Sequence, residues 1–166
     1  WYRNRGDETG LKWQKYVIDE ARGPYQGHPA DIDGDGKTDV VMAFCDRQDH
    51  TGSIVWYEND GSAEATPWAK HLIGDFPGAF EAVAGDIDGD GQMEVVASSV
   101  VDGRLAIFKH EGDPRGRWQM QVLKENWVGV TQPIVADLDG DGRLDLAVVA
   151  ATGANELRWW KNEGPT

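Results

Sequence analysis

Short apolar segments separated by turn residues run along the whole chain. Apolar runs at 40–44, 95–97 and 146–150 follow clusters of Asp and Gly, and segments at 53–57 and 68–73 follow turns rich in Asp, Asn and Gly. Runs of four to eight residues bounded by such turns are typical of β-strands, and no segment has the period of a helix longer than one turn. The pattern predicts an all-β protein.

Three sequence markers recur in the same order, which indicates an internal repeat. An acidic loop of the form Asp-x-Asp-Gly-Asp-Gly-x-x-Asp/Glu occupies residues 31–39, 86–94 and 137–145, at spacings of 55 and 51 residues. An aromatic segment begins at residues 1, 56, 107 and 159, and a second segment begins at Trp13, Trp68 and Trp118. The markers divide the chain into modules at about 1–55, 56–106 and 107–158, with 159–166 starting a fourth.

Each module holds four predicted strands in just over fifty residues. Repeated four-stranded antiparallel sheets of this size are the blades of β-propellers. We therefore predict that residues 1–166 form a single propeller segment of three four-stranded antiparallel blades. Because known propellers have about four to eight blades, we expect an incomplete ring, completed by further blades of the same protein or by another copy.

Most of the net charge lies in the acidic loops. The 166 residues carry a net charge of −13, and the loops hold 12 of the 29 acidic residues, so the rest of the chain is nearly neutral. Nucleic acids and anionic membranes attract clustered Lys and Arg, which the chain lacks, and no apolar run approaches the length of a membrane span. We expect neither a nucleic-acid partner nor membrane insertion. The single cysteine, Cys45, excludes an intramolecular disulfide.

The spacing of the acidic residues predicts a metal site in each loop. Carboxylates alternate with glycines, which allow the backbone to curl around an ion. Oxygen-only ligands in this number suit Ca²⁺, because Mg²⁺ keeps several waters and zinc prefers His or Cys. The proposed ligands are the side chains at loop positions 1, 3, 5 and 9 and the main-chain carbonyl at position 7, for about three Ca²⁺ ions. They are Asp31, Asp33, Asp35, Lys37 and Asp39; Asp86, Asp88, Asp90, Gln92 and Glu94; and Asp137, Asp139, Asp141, Arg143 and Asp145. The alternative is that the loops are only polar turns.

The loops differ from an EF-hand, which needs a Glu at position 12. Position 12 is Met42, Ala97 or Val148 here, and the closing acid is at position 9. This pattern resembles the calcium-binding loops of FG-GAP/VCBS repeats, as in integrin α-chain propellers, propeller lectins and secreted bacterial proteins. The resemblance covers essentially the whole chain. It implies a Ca²⁺-binding propeller in an extracellular or cell-surface location.

The eight tryptophans suggest either packing between blades or carbohydrate binding. Six recur at two fixed positions of the repeat, as expected for packing residues: Trp1, Trp13, Trp56, Trp68, Trp118 and Trp159. Trp127 and Trp160 lie outside these positions. They are the candidates for a ligand platform.

No catalytic motif is evident, and the chain alone is more consistent with a non-enzyme. Four residues could assemble a small polar site near the central channel of the predicted propeller: His28, Tyr25, Arg22 and His71. Such a set can abstract a proton and neutralise a carboxylate, as in polysaccharide lyases. His71 also lies in a recurring strand segment, which favours a structural role.

Three functions remain open at this point. The leading hypothesis is a secreted, Ca²⁺-stabilised propeller module that binds glycan or extracellular protein. The resemblance also allows part of a propeller-based polysaccharide lyase or sugar dehydratase. A structural or adhesive assembly protein is the third possibility.

Overall fold

The computed structural model describes residues 1–164, and residues 165 and 166 of the predicted fourth module lie outside the described residues. Thirteen strands form four separate antiparallel sheets within this range, which contains no helix. The all-β prediction is confirmed. No helix among the described residues is long and apolar enough to cross a membrane.

The strands form sheets in sequence order. The first sheet pairs β1 (Tyr2–Asn4) with β2 (Trp13–Lys15). The second contains β3 (Pro24–Ala30), β4 (Asp39–Cys45), β5 (Gly52–Glu58) and β6 (Ala69–Asp75). The third contains β7 (Ala79–Gly85), β8 (Glu94–Ser99), β9 (Arg104–His110) and β10 (Trp118–Lys124). The fourth contains β11 (Val130–Ala136), β12 (Asp145–Ala150) and β13 (Glu156–Trp160).

The sheets do not coincide with the sequence modules. A module contributes the last two strands of one sheet and the first two strands of the next, because the acidic loop joins the first and second strands of a sheet. The described residues therefore form two complete four-stranded sheets, one three-stranded sheet and one two-stranded sheet, where the sequence predicted three complete blades.

Successive sheets pack face to face, as propeller blades do. Strand β7 packs against β3 and β4, and β11 packs against β7 and β8, so the first strands of the three larger sheets are neighbours. The core between the second and third sheets contains the fully buried Trp56, Phe76 and Phe108. A second core, between the third and fourth sheets, contains Leu105 and Val148. Burial of each large apolar side chain contributes about 1.5–3 kcal/mol.

The packing role predicted for six tryptophans holds only where two sheets meet. Trp56 and Trp118 are buried, whereas Trp13 is 58% exposed and Trp159 is 52% exposed. Trp159 occupies the same repeat position as Trp56, but no other described sheet covers its face of the fourth sheet. The packing prediction is therefore confirmed for Trp56 and Trp118, and it stays a prediction for Trp13 and Trp159, which are exposed in the described structure.

Candidate metal centres

Each acidic loop connects the first and second strands of a sheet and has the same backbone geometry. In the first loop, Gly34 has φ of 72° and Gly36 has φ of 84°, and the corresponding glycines of the other loops are also left-handed. A Cβ at Gly34 or Gly36 would meet no atom within 4 Å. Glycine is therefore favoured here by backbone conformation and not by crowding.

Three carboxylates converge in every loop. Their oxygens lie within 4.8 Å of one another in the groups Asp31, Asp33 and Asp39; Asp86, Asp88 and Asp90; and Asp137, Asp139 and Asp145. Oxygens bound to one Ca²⁺ at about 2.4 Å can be no more than about 4.8 Å apart. The three oxygens of each group can therefore contact one ion of this size.

The closing acid at position 9 is a structural anchor as well as a candidate ligand. Asp39 is fully buried, and its two oxygens accept hydrogen bonds from the backbone N–H groups of Ile32 (2.9 Å) and Asn59 (2.8 Å). Asp145 accepts equivalent bonds from Leu138 (3.0 Å) and Asn162 (2.8 Å). The carboxylate thus joins its loop to the end of the third strand of the same sheet.

The second loop lacks this connection to the third strand. Glu94 Oε2 accepts bonds from the backbone N–H groups of Ile87 (2.8 Å) and Asp88 (3.3 Å), both in its own loop. The repeat position of Asn59 and Asn162 is occupied by His110, which is 8% exposed and has no hydrogen-bond partner for either ring nitrogen among the described residues. The longer acid, Glu94, therefore occurs in the sheet that lacks the asparagine.

One oxygen in the first loop supports a cation site. Asp31 Oδ2 accepts a hydrogen bond from Gly36 N–H at 2.9 Å, but Oδ1 is buried and has no hydrogen-bond partner in the described structure. A buried carboxylate oxygen without a partner is costly, and a bound cation would offset that cost. In the third loop, by contrast, both oxygens of Asp137 accept backbone N–H groups.

The residue at position 7 contacts the position-5 carboxylate in every loop. Asp35 Oδ2 pairs with Lys37 Nζ at 2.6 Å, and Asp141 Oδ2 pairs with Arg143 at 2.5 Å. Gln92 Nε2 likewise donates to Asp90 Oδ2 at 3.1 Å, yet Asp90 lies inside a converging group and the other two aspartates do not. Glu94 also lies outside its converging group. Ligation by the position-7 carbonyls stays a prediction.

A basic side chain contacts the position-3 carboxylate of every loop. Lys109 Nζ lies 2.7 Å from Asp88 Oδ2, and Lys161 pairs with Asp139. These lysines share one repeat position at the end of the third strand, so the repeat pattern of the sequence itself marks them. Asp33 instead contacts Arg115 at 2.5 Å.

Burial and hydrogen bonding act in opposite directions on the acids. Burial raises the pKa of Asp39 and of Glu94 above the usual range. Backbone N–H donation from Asn162 lowers the pKa of Asp145, and the Lys109 ammonium lowers the pKa of Asp88. A raised pKa means that burial disfavours the charged form of Asp39 and of Glu94.

The polar residues predicted near the channel are only partly brought together. His28 Nε2 lies 2.7 Å from Oε1 of Glu81, a buried residue on the first strand of the next sheet. Tyr25 lies beside Phe80, and it lines a cavity of about 360 Å³ with Arg22.

His71 is separate from that group. It lies on β6, three strands away from β3, where it stacks on Trp56 and bonds Glu58 Oε2 at 2.8 Å. This placement supports the structural role for His71.

The two tryptophans predicted as a ligand platform face the core. Trp127 is 3% exposed, its Nε1–H donates to Glu156 Oε2 at 3.1 Å, and its ring contacts that of Trp160 edge to face at 5.6 Å. Trp160 is half-buried against the same core. Trp127 is therefore a packing residue, because it fills the space between the third and fourth sheets. Trp160 also lines a cavity of about 250 Å³ with Leu123 and Leu144, so its role as a ligand residue stays a prediction.

The loop geometry and the repeated sheets agree with a comparison with known families. The model of the FG-GAP-like repeat matches residues 1–42 and 31–97. The chain belongs to the FG-GAP-like repeat family. The resemblance predicted from the acidic loops is thereby confirmed.

Two curated relatives of this FG-GAP-like chain come from Bacillus subtilis (strain 168). The chain is 30% identical over 122 residues, 61% of its length, to rhamnogalacturonan exolyase YesX, of which it covers 19%. It is 31% identical over 91 residues, 47% of its length, to rhamnogalacturonan endolyase YesW, of which it covers 15%. The chain therefore spans less than a fifth of the length of each.

Proposed function

We propose that the chain is a Ca²⁺-stabilised segment of an extracellular β-propeller that binds glycan or protein ligands. The observation that carries the metal assignment is the buried, unpartnered Asp31 Oδ1 beside two further converging carboxylates. An ion held there would act as a structural crosslink between the loop and the strands on either side of it.

The donor set supports calcium over other metals. The three groups contain only aspartates, without His or Cys, which disfavours zinc. Flexible loops with many oxygens suit Ca²⁺ better than Mg²⁺, which demands near-ideal octahedral geometry. Three Ca²⁺ would also reduce the net charge from −13 to −7. Extracellular modules can use sites with dissociation constants of about 10⁻⁴–10⁻³ M, because calcium is abundant there.

Calorimetric titration and thermal unfolding test this proposal. Metal-free protein should bind three Ca²⁺ per chain, unfold at a higher temperature with Ca²⁺ than with EGTA, and respond much less to Mg²⁺. An unfolding temperature that is the same in Ca²⁺ and EGTA would refute the metal proposal.

We further propose that another blade of the same repeat type covers the exposed face of the fourth sheet. Leu157 is 71% exposed and Trp159 is 52% exposed, whereas the equivalent Ile54 and Trp56 of the second sheet are fully buried by the third sheet. The face of the third sheet that buries Ile54 and Trp56 is therefore the pattern for the surface that should cover Leu157 and Trp159. In the full protein, Trp159 should be protected from acrylamide quenching; if its quenching matches that of a free indole, this proposal fails.

A second candidate function is a part of a propeller-based polysaccharide lyase. It is favoured by the similarity to two rhamnogalacturonan lyases and by the His28–Glu81 contact on the inner strands. A carboxylate that orients a histidine is a common arrangement for proton transfer.

Activity and binding assays separate the two functions. If the protein is a lyase, the full protein should release unsaturated uronate from rhamnogalacturonan, and His28→Gln should lower that rate while polysaccharide binding persists. Binding of polysaccharide without any unsaturated product would favour the binding module.

A further inference from the structure

Arg115 connects the first acidic loop to the next sheet. It lies in the turn between β9 and β10 of the third sheet, but its guanidinium contacts Asp33 Oδ2 at 2.5 Å in the second sheet. It also bonds both carboxylate oxygens of Glu58, with Nε 3.1 Å from Oε2, and lies 5.7 Å from the centre of the Trp56 ring. One side chain thus joins a candidate metal ligand to the packed interface between two sheets.

The contact replaces one that the other loops make within their own sheets. Lys109 and Lys161 pair with Asp88 and Asp139 from the end of the third strand of the same sheet. At that repeat position the second sheet has Glu58, which cannot neutralise Asp33. Arg115 compensates for this charge reversal from the neighbouring sheet.

The position of Arg115 places it in competition with a bound cation. Asp33 Oδ1 already accepts Asp35 N–H at 3.2 Å, and Oδ2 is held by the guanidinium. A Ca²⁺ ion that binds Asp33 draws electron density from the same carboxylate and repels the positive guanidinium. A unit charge about 6 Å from a divalent ion changes the affinity about tenfold in fully aqueous screening.

We propose that Arg115 links Ca²⁺ loading of the first loop to the docking of the third sheet on the second. This inference rests on the proposed calcium sites. In the Ca²⁺-free protein the guanidinium neutralises Asp33 and holds the interface together. When Ca²⁺ enters, the Arg115–Asp33 contact weakens and the ion takes over the role of counter-charge. By linkage, a tighter interface contact lowers the Ca²⁺ affinity of this loop, and Ca²⁺ loosens that contact.

Two matched substitutions test the proposal in the full protein. Arg115→Gln removes the cation that crosses the interface, and Lys109→Gln removes the one that stays within its sheet. The Ca²⁺ affinity of one loop can be measured by calorimetry when the other two loops are disabled. Asp88→Asn/Asp139→Asn leaves only the first loop intact, and Asp33→Asn/Asp139→Asn leaves only the second. Each Gln substitution should raise the Ca²⁺ affinity of its own loop about tenfold at low salt, and less at higher salt.

Hydrogen exchange and fluorescence distinguish the interface role. In EGTA, only Arg115→Gln should increase amide exchange on both sides of the interface between the second and third sheets. In the wild-type protein, Ca²⁺ should shift the emission of Trp56, and Arg115→Gln should abolish most of that shift.

The outcomes separate the two proposals. If the wild type binds Ca²⁺ but Arg115→Gln leaves the affinity of the first loop unchanged, or if Lys109→Gln disturbs the interface equally, the role of Arg115 is refuted. If no loop of the wild type binds Ca²⁺, the metal proposal itself fails, and with it the linkage. Increased exchange in Arg115→Gln would then show only a structural crosslink.

Discussion

Replacement of Asp31 by Asn should affect stability in opposite directions with and without calcium. The substitution keeps the size of the side chain and an oxygen that can accept the bond from Gly36 N–H, now 2.9 Å long. It removes one of four negative charges in the loop and replaces the buried, unpartnered Oδ1 with an amide NH2 that can donate to the converging carboxylates. In EGTA, Asp31→Asn should therefore be as stable as the wild type or more stable, because an unpaired buried charge is lost.

With calcium the sign reverses. At a free Ca²⁺ concentration ten times the dissociation constant, each site contributes about 1.4 kcal/mol, so three sites contribute about 4 kcal/mol. Loss of the first site should lower the Ca²⁺-dependent stabilisation by about one third. For a chain of this size, that corresponds to about 3–6 °C in unfolding temperature.

Thermal unfolding in EGTA and in Ca²⁺ measures both effects. Asp49→Asn is a matched control, because Asp49 is exposed, lies outside the loops and bonds only Thr51 N–H and Oγ1 among the described residues, at 2.9 and 2.7 Å. Its effect should be the same in both conditions. An equal loss of stability for Asp31→Asn in EGTA and in Ca²⁺ would show that Asp31 is only a turn residue.

Three further substitutions test the packing around the loops. Burial lowers the pKa of His110 below 6.5 in the folded protein, so the stability present above that pH is lost as the pH falls through the pKa of the folded state. His110→Asn should weaken the pH dependence of the unfolding free energy, measured by urea unfolding. An unchanged pH dependence would contradict this prediction. Trp56→Ala should cost about 4 kcal/mol of unfolding free energy, and a cost below about 1 kcal/mol would contradict its place in the core. Asn162→Ala removes hydrogen bonds to Ile87 O (2.6 Å) and Leu144 O (3.1 Å), so it should lower the unfolding free energy by about 1–2 kcal/mol and speed amide exchange in the second loop. Asn59→Ala is the control and should not speed that exchange, because the side-chain amide of Asn59 bonds only its own sheet in the described structure.

The sequence was sufficient to predict the strands because their signals are local. Turn residues and apolar runs placed strands such as Ala79–Gly85 and Asp145–Ala150 to within about two residues, and the three loops fixed the repeat. The grouping of strands into sheets was harder to predict from the sequence. A repeat can be divided at any phase, and the backbone pairing shows where each sheet begins and ends.

The candidate ligands were also predictable, since glycine and aspartate at fixed spacing determine the shape of the loop. The charges around them were not. Arg115 is 82 residues from Asp33 along the chain, and only the packing of two sheets brings them together. Asp35 and Asp141 pair with neighbouring cations and lie outside the converging groups, which the spacing does not specify.

The departures from the repeat are therefore more informative than the repeat itself. Each loop needs a counter-charge at position 3 and an anchor at position 9, and each sheet supplies them differently. The second sheet has Glu58 where a lysine is expected, and Arg115 of the next sheet compensates. The third sheet has His110 where an asparagine is expected, and the longer Glu94 closes the loop on its own backbone. Because the first compensation crosses an interface and the second does not, calcium at otherwise similar loops should have different structural consequences, one between sheets and one within a sheet.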